Sequence, residues 1–280
     1  LRLITEKNPL PFITGTICAH NCMTKCMRNY YDEPVNIRAT KLVAAERGYD
    51  DYMAKIKAPV PVTDGRKVAV IGGGPTGMAA AYFVGRAGIP VTIFERSGVL
   101  GGVVRQVIPA FRISDDAIDH DVALLFKMGV EVKLNTEAPS VAELKAQGYT
   151  HIFFAVGAWK AGKLDIPGNV VPVIGWLKDM KAGKDVSLGH VAVVGGGNTA
   201  MDAARAALRA GAKSSTLVYR RTKKYMPADA EELEMAIADG VEFLELVAPV
   251  EQKDGKLVCE KMKLGDPDEK GRRKPVPTGE

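Results

Sequence analysis

Cysteine is scarce in this sequence: there are four in 280 residues, and three of them fall between Cys18 and Cys26. That is too few and too clustered for a secreted disulfide scaffold. It points instead to a reducing compartment and a metal site. An excess of charge of one sign is also small. The formal net charge is +5, spread along the chain, which reads as a solvated surface and not as a nucleic-acid footprint. The short basic run Arg272-Arg273-Lys274 reads as a loop. No apolar run reaches membrane-spanning length and no signal peptide opens the sequence, so no membrane partner and a cytoplasmic location are expected. No short-period repeat is visible. No nucleophile with its base, and no paired acid and base, is evident. The first residue is Leu1 and not Met, and both ends are expected to be cut from something longer.

What is present is ordinary globular composition, 46% hydrophobic and 25% charged, with length enough for two domains. Against that background stand two glycine-rich turns, Gly72-Gly73-Gly74-Pro75-Thr76-Gly77 and Gly195-Gly196-Gly197-Asn198-Thr199-Ala200. Each follows a short apolar strand and opens a helical pattern. One such turn binds one dinucleotide. Two in one chain imply two dinucleotides that can exchange electrons.

In the first turn, Gly72-x-Gly74-x-x-Gly77 permits a tight bend, close approach of backbone to a pyrophosphate, and close helix–strand packing. Pro75 and Thr76 open the helix, whose N-terminus carries unpaired N–H groups towards a phosphate. Glu95 ends the following strand, where a carboxylate accepts hydrogen bonds from ribose hydroxyls. The bland alternative is a sharp Gly-rich turn without a ligand. In the second turn, Gly195-x-Gly197-x-x-Ala200 is the variant with alanine third, and Asn198 and Thr199 are placed to cap the helix and touch phosphate. The next strand ends in Arg220-Arg221 where an NAD site has an acid. Guanidinium groups suit the 2′-phosphate of NADPH; the alternative is a pair of solvated strand-end charges.

Cys18, Cys22 and Cys26 are spaced by four residues. Iron–sulfur clusters commonly take four thiolates. Zinc with His20 as fourth ligand, or buried thiols with no metal, are the competing readings.

Periodicity predicts a helix at Ile37–Arg47, then a stiff linker at Ala58-Pro59-Val60-Pro61. A strand at 67–71, a helix at 75–88 and a strand at 90–94 follow, then a helix at Asp115–Met128 and strands at Val130–Leu134 and His151–Val156. The second unit starts at His190, with a helix at 198–210, a strand at Ser215–Tyr219 and a helix at Ala230–Asp239 stopped by Gly240. Strands are expected at Val241–Leu246 and Lys256–Leu264. The alternation implies α/β architecture with parallel, doubly wound sheets: two Rossmann-like dinucleotide-binding domains behind a small, mainly helical segment. The expected domains are 1–60, 61–165 and 166–280, which a family resemblance, carried by the motifs that follow, makes an iron–sulfur segment, the N-terminal part of an FAD-binding domain and an NAD(P)H-binding domain.

After Glu95 comes Arg96-Ser97-Gly98-Val99-Leu100-Gly101-Gly102-Val103, and Ala155-Val156-Gly157 follows later. Here the chain resembles the flavoproteins with two dinucleotide domains, in which an acid followed by a paired glycine marks the FAD half. Asn8-Pro9-Leu10-Pro11 through Asp32-Glu33-Pro34-Val35-Asn36-Ile37 resembles the iron–sulfur module of the bacterial glutamate synthase small-subunit family, also found in dihydropyrimidine dehydrogenase. The resemblance implies that Cys18 and Cys22 serve one 4Fe-4S cluster and Cys26 another, with further ligands upstream. Where the family sometimes has a ligating acid or amide, this chain has Lys41.

By the same resemblance Arg112, in Ile108-Pro109-Ala110-Phe111-Arg112-Ile113, contacts flavin, and Tyr225-Met226-Pro227-Ala228 follows the NADPH half. Relatives carry an arginine near Ala230, whereas this chain has Glu231 and Glu232. The tail from Lys263 to Pro275 is similar to a narrower group, the selenate-reductase-type iron–sulfur subunits. A C-terminal FAD segment with a Gly-Asp turn is expected beyond Glu280.

The activity so implied is NADPH-dependent: electrons pass from NADPH through FAD to iron–sulfur clusters and on to an electron-accepting subunit or domain. A disulfide reductase on the same fold needs a redox cysteine pair, and only Cys259 lies outside the N-terminal group. A non-catalytic redox scaffold or sensor is the alternative of a different class.

Overall fold

The computed structural model describes residues 1–160, 162, 164–186, 189–269, 271 and 273–280. The chain divides into two compact units, Leu1–Gln106 with Ala110–Trp159, and Val107–Pro109 with Lys160–Glu280.

The first unit opens with helices α1 (Arg2–Thr5), α2 (Pro11–Ile17), α3 (Asn21–Thr24) and α4 (Ile37–Lys55), with a 3₁₀ turn at Met27–Tyr30. Pro11 opens α2, where its missing N–H would have had no helical partner. Asn36 caps α4 by accepting the Ala39 N–H at 3.1 Å. The helix runs to Lys55, past the expected Arg47. Gly48 costs about 1 kcal/mol inside a helix, which packing on α2 offsets. Gly15 of α2 lies so close to Leu42 of α4 that a Cβ there would come within 3.0 Å.

Next come β1 (Val68–Ile71), α5 (Pro75–Arg86), β2 (Val91–Phe94), α6 (Gly102–Gln106), α7 (Asp115–Lys127), β3 (Glu131–Lys133), α8 (Val141–Ala146) and β4 (His151–Phe154). The strands form one sheet in the order β3-β2-β1-β4, and every pairing is parallel. Every residue of β2 is buried, as is nearly all of β1, which is the unbroken apolar run expected of strands covered on both faces. Met78, Tyr82, Ile93, Leu124 and Leu125 are among the most deeply buried side chains. Each is worth roughly 1.5–3 kcal/mol of burial.

The second unit holds α9 (Val173–Lys181), β5 (His190–Val194), α10 (Asn198–Arg209), β6 (Ser214–Tyr219), α11 (Ala230–Ala238) and β7 (Glu242–Glu245). Its sheet β5-β6-β7 is parallel. Ala200, Met201 and Ala204 of α10 pack with Leu217, Leu233, Ala236 and Val241. Arg205 of α10 reaches Asp239 at 2.7 Å and Glu232 at 3.7 Å, so α10 and α11 share a largely buried ion-pair network. Glu232, noted above for standing where relatives have arginine, thus has a structural partner in this chain.

Two expectations fail in the remainder. β8 (Val247–Lys253), β9 (Lys256–Pro267) and β10 (Arg273–Pro277) form an antiparallel sheet, where alternation implied parallel strands throughout. The reason is local. Asp254 and Gly255 have φ of 50° and 73°, the two positive values of a type I′ turn, and Lys253 pairs with Lys256 across it. A two-residue turn can only fold the chain back on itself. The basic run expected to be a loop also differs. Arg273 and Lys274 lie in β10, and Arg272 is outside the described residues.

Candidate functional site

The first glycine turn is held by backbone contacts that exclude side chains. A Cβ on Gly77 would lie 1.9 Å from the Gly72 carbonyl oxygen, and one on Gly72, whose φ is +107°, would lie 2.4 Å from that of Ala155. Both contacts are with backbone, so only glycine fits. At Gly74 a Cβ would meet nothing nearer than the Gly102 Cα at 3.8 Å, so this face of the turn is open. Gly74 is the N-cap of α5, Pro75 opens the helix, and no side chain caps it. Those first-turn N–H groups face the exposed Thr76 end, where a positive partial charge and unpaired donors suit a phosphate.

Glu95 is only 7% exposed. Its Oε2 accepts the Gly73 N–H at 2.6 Å and its Oε1 the Ser97 N–H at 2.8 Å. The paired glycine joins the same assembly. The Gly101 N–H donates to the Gly73 carbonyl at 2.8 Å, and Gly102 abuts Gly74. The structure therefore brings Gly72, Gly74, Pro75, Gly77, Glu95, Gly101 and Gly102 together. Val103 follows, half-buried, in α6. Arg96 is exposed and sits over the Trp159 ring at 5.6 Å. Arg112 is half-buried between α6 and α7. Arg105, unremarked in the sequence, ties α6 to α7 through Asp119 and, at 3.8 Å, Asp115.

The second turn is built differently. A Cβ on Gly196 would strike the Tyr219 ring at 2.5 Å, while none of the described atoms lies within 4 Å of one on Gly197. The loop after β6 is stapled to the turn: Ala228 N–H to the Gly196 carbonyl at 3.0 Å, and Tyr219 hydroxyl to the Tyr225 carbonyl at 2.7 Å. Asn198 and Thr199 do not cap α10. Gly197 holds the N-cap position and has no side chain to offer, and the Asn198 Oδ1 instead accepts the Asp229 N–H at 3.1 Å. Arg220 is exposed and Arg221 half-buried. The Arg221 Nε is buried without a hydrogen-bond partner among the described residues. Lys223 and Lys224, both exposed, extend the cationic run. Four cations in five residues, Arg220 to Lys224, is the signal that could have found them in the sequence.

The cysteines lie at the ends of short elements. Cys18 follows α2, Cys22 lies in α3 and Cys26 precedes the 3₁₀ turn. Cys18 and Cys22 are exposed. Hydrogen bonds from the backbone at Val35 and Arg28 hold the Cys26 thiol below its usual range. His20 adopts a left-handed φ of 39°, with its Nδ1 3.0 Å from Arg38. Among the described residues no three His, Cys, Asp or Glu side chains gather to hold a metal ion. The three thiols therefore do not by themselves fit a cluster. Cys259 stands on β9, and burial pushes its thiol up. No helix among the described residues is long and apolar enough to cross a membrane.

Comparison with known proteins identifies the family. The family model described as pyridine nucleotide-disulphide oxidoreductase matches residues 66–271. The chain is 46% identical to YgfK of Escherichia coli (strain K12), provisionally named an oxidoreductase, over 100% of this chain and 28% of that protein. It is 37% identical to the NADPH-Fe(3+) oxidoreductase subunit beta of Geobacter sulfurreducens, over 99% of this chain and 44% of that one. It is 32% identical to the glutamate synthase [NADPH] small chain of E. coli (strain K12), over 96% of this chain and 62% of that one. The chain thus spans less than two thirds of each of these relatives. Among solved structures, thioredoxin reductase of Lactococcus lactis shares the fold with a TM-score of 0.52 at 22% identity, over 76% of this chain and 74% of that one.

Proposed function

The chain belongs to the pyridine nucleotide-disulphide oxidoreductase family, and we propose that it works as the NADPH-oxidising, FAD-binding part of an electron-transfer enzyme that serves a partner subunit or domain. The observation that carries this reading is the pair of uncapped helices, α5 and α10, each opening from a glycine turn with an open face. FAD, when bound, accepts a hydride from NADPH and can release its electrons singly. The first turn would hold the FAD pyrophosphate, with Glu95 turning from the glycine loop towards the ribose. The second would hold NADPH, with the guanidinium groups of Arg220 and Arg221 on the 2′-phosphate.

The relatives' names support this division of labour: one is the beta subunit of an NADPH-Fe(3+) oxidoreductase, and another is the small chain of an NADPH glutamate synthase. The family name also refers to disulfide chemistry, which needs a second thiol beside Cys259; residues 27–280 hold none. Cys18, Cys22 and Cys26 would ligate 4Fe-4S clusters only together with ligands from elsewhere, so no electron step is assigned to them. The visible spectrum of the anaerobic protein before and after NADPH tests the proposal. Flavin bands that bleach with NADPH are expected. A protein that takes up no FAD on reconstitution overturns it.

A further inference from the structure

Asp121 of α7 is fully buried, and neither glycine turn uses it. Its Oδ1 accepts the Phe12 N–H at 3.1 Å and its Oδ2 the Ile13 N–H at 2.8 Å. Both belong to the first turn of α2, whose N–H groups have no partner within the helix. The N-cap of α2 is Leu10, which offers no acceptor. A carboxyl from a helix more than a hundred residues away along the chain does what a capping side chain does locally.

The contact is enclosed. The Phe12 ring stacks on His120 at 4.6 Å, and Tyr49 of α4 sets an edge against both, at 5.4 and 4.4 Å. Lys41 of α4 faces the carboxyl as the cation that favours its charge. The titratable groups around it are therefore Lys41 and Tyr49 from α4 and His120 from α7, while α2 contributes only amides. In the other direction α7 is tied by Asp115 and Asp119 to Arg105, three residues beyond the paired glycine. And α2 leads straight into Cys18.

We infer that Asp121 is a positioning residue: by holding the first turn of α2 it fixes the Cys18 end of that helix on the first unit, and its ionisation sets how firmly. The inference concerns the backbone of this chain and stands whatever the thiols hold. Burial pushes the carboxyl up to about 7, against the pull of the Ile13 and Phe12 amides and of Lys41. When the first turn of α2 opens, the carboxyl meets water and returns towards its ordinary 3.8. The closed form therefore keeps a proton that the open form has lost. Raising the pH through that window favours opening, and above about 7 the effect levels off.

Amide hydrogen exchange on the intact protein tests this, read over residues 11–17 and corrected for the intrinsic pH dependence of exchange. Protection should fall between pH 5 and 7, by up to about tenfold per unit, and then level off. Asp121→Asn should lower protection over 11–17 and abolish the slope, leaving β1 and α5 unchanged. Lys41→Met should move the levelling point to higher pH. If Asp121→Asn does not fold, the wild-type slope and the Lys41→Met shift still decide. A flat wild-type profile, an unchanged slope in Asp121→Asn, or equal loss of protection in β1 and α5 overturns the inference.

Discussion

Gly102 stands against Gly74 so closely that a Cβ on Gly102 would come within 2.8 Å of the Gly74 Cα, and its φ is +54°. The paired glycine is thus part of the first turn's own packing. Gly102→Ala must place a side chain in left-handed backbone and push it into another main chain, at a cost of roughly 2–4 kcal/mol. A lower thermal midpoint and at least tenfold weaker FAD retention are expected. Gly129→Ala is the control. Its φ is +73° but no described atom lies within 4 Å of the added carbon, so it should cost about 1 kcal/mol and leave FAD binding alone.

Glu95→Gln keeps the shape of the side chain and removes one acceptor. Two N–H groups, of Gly73 and Ser97, now converge on the two carboxylate oxygens. The amide nitrogen of glutamine cannot accept, so one N–H is left unpaired at a cost of about 1–3 kcal/mol. Denaturant unfolding should show a lower midpoint at an unchanged slope.

Arg220→Ala with Arg221→Ala should raise KM for NADPH by at least tenfold and leave KM for NADH nearly unchanged, since each charge-assisted hydrogen bond is worth about 1.5–3 kcal/mol. Steady-state kinetics with both nucleotides decides it. Equal effects on the two would sink the 2′-phosphate assignment.

Asp239 makes the α10–α11 network sensitive to acid. Hydrogen bonding to Arg209, at 2.5 Å, and to Arg205 holds its carboxyl at about 2. A depressed value stabilises the fold at pH above the unfolded value of about 4, and the contribution is lost as pH falls towards 2. Because the group is partly open to solvent, about 1 kcal/mol is expected. Asp239→Asn should lower thermal stability at pH 7 and converge with the wild type near pH 2.

The two glycine turns, their flanking strands and the helices α5, α7, α10 and α11 were legible because each combines an apolar run with a glycine or a cap at the right place. Glu95 was legible as a strand-end acid, but its bond to Gly73 was not, since the return of a side chain across a turn leaves no periodic mark. The antiparallel sheet was missed although Asp254-Gly255 is a strong hairpin signal, because the alternation of strands and helices before it set the expectation. Asp121 gave no signal at all. One acid in an amphipathic helix reads as solvated until the partner helix, drawn from the other end of the unit, is known.

The parallel sheet of the second unit has a consequence for handling the protein. Among the described residues β5 pairs only with β6, which leaves the other edge of His190-Val191-Ala192-Val193-Val194 without a strand partner among them. That edge carries no lysine and no proline, the usual guards against strand addition, and Val194 is 38% exposed. Light scattering should therefore grow with protein concentration and with time at moderate temperature. Val194→Lys should flatten that growth while leaving the fold intact, and that outcome would place the limit on how concentrated a stock can be kept at this one strand.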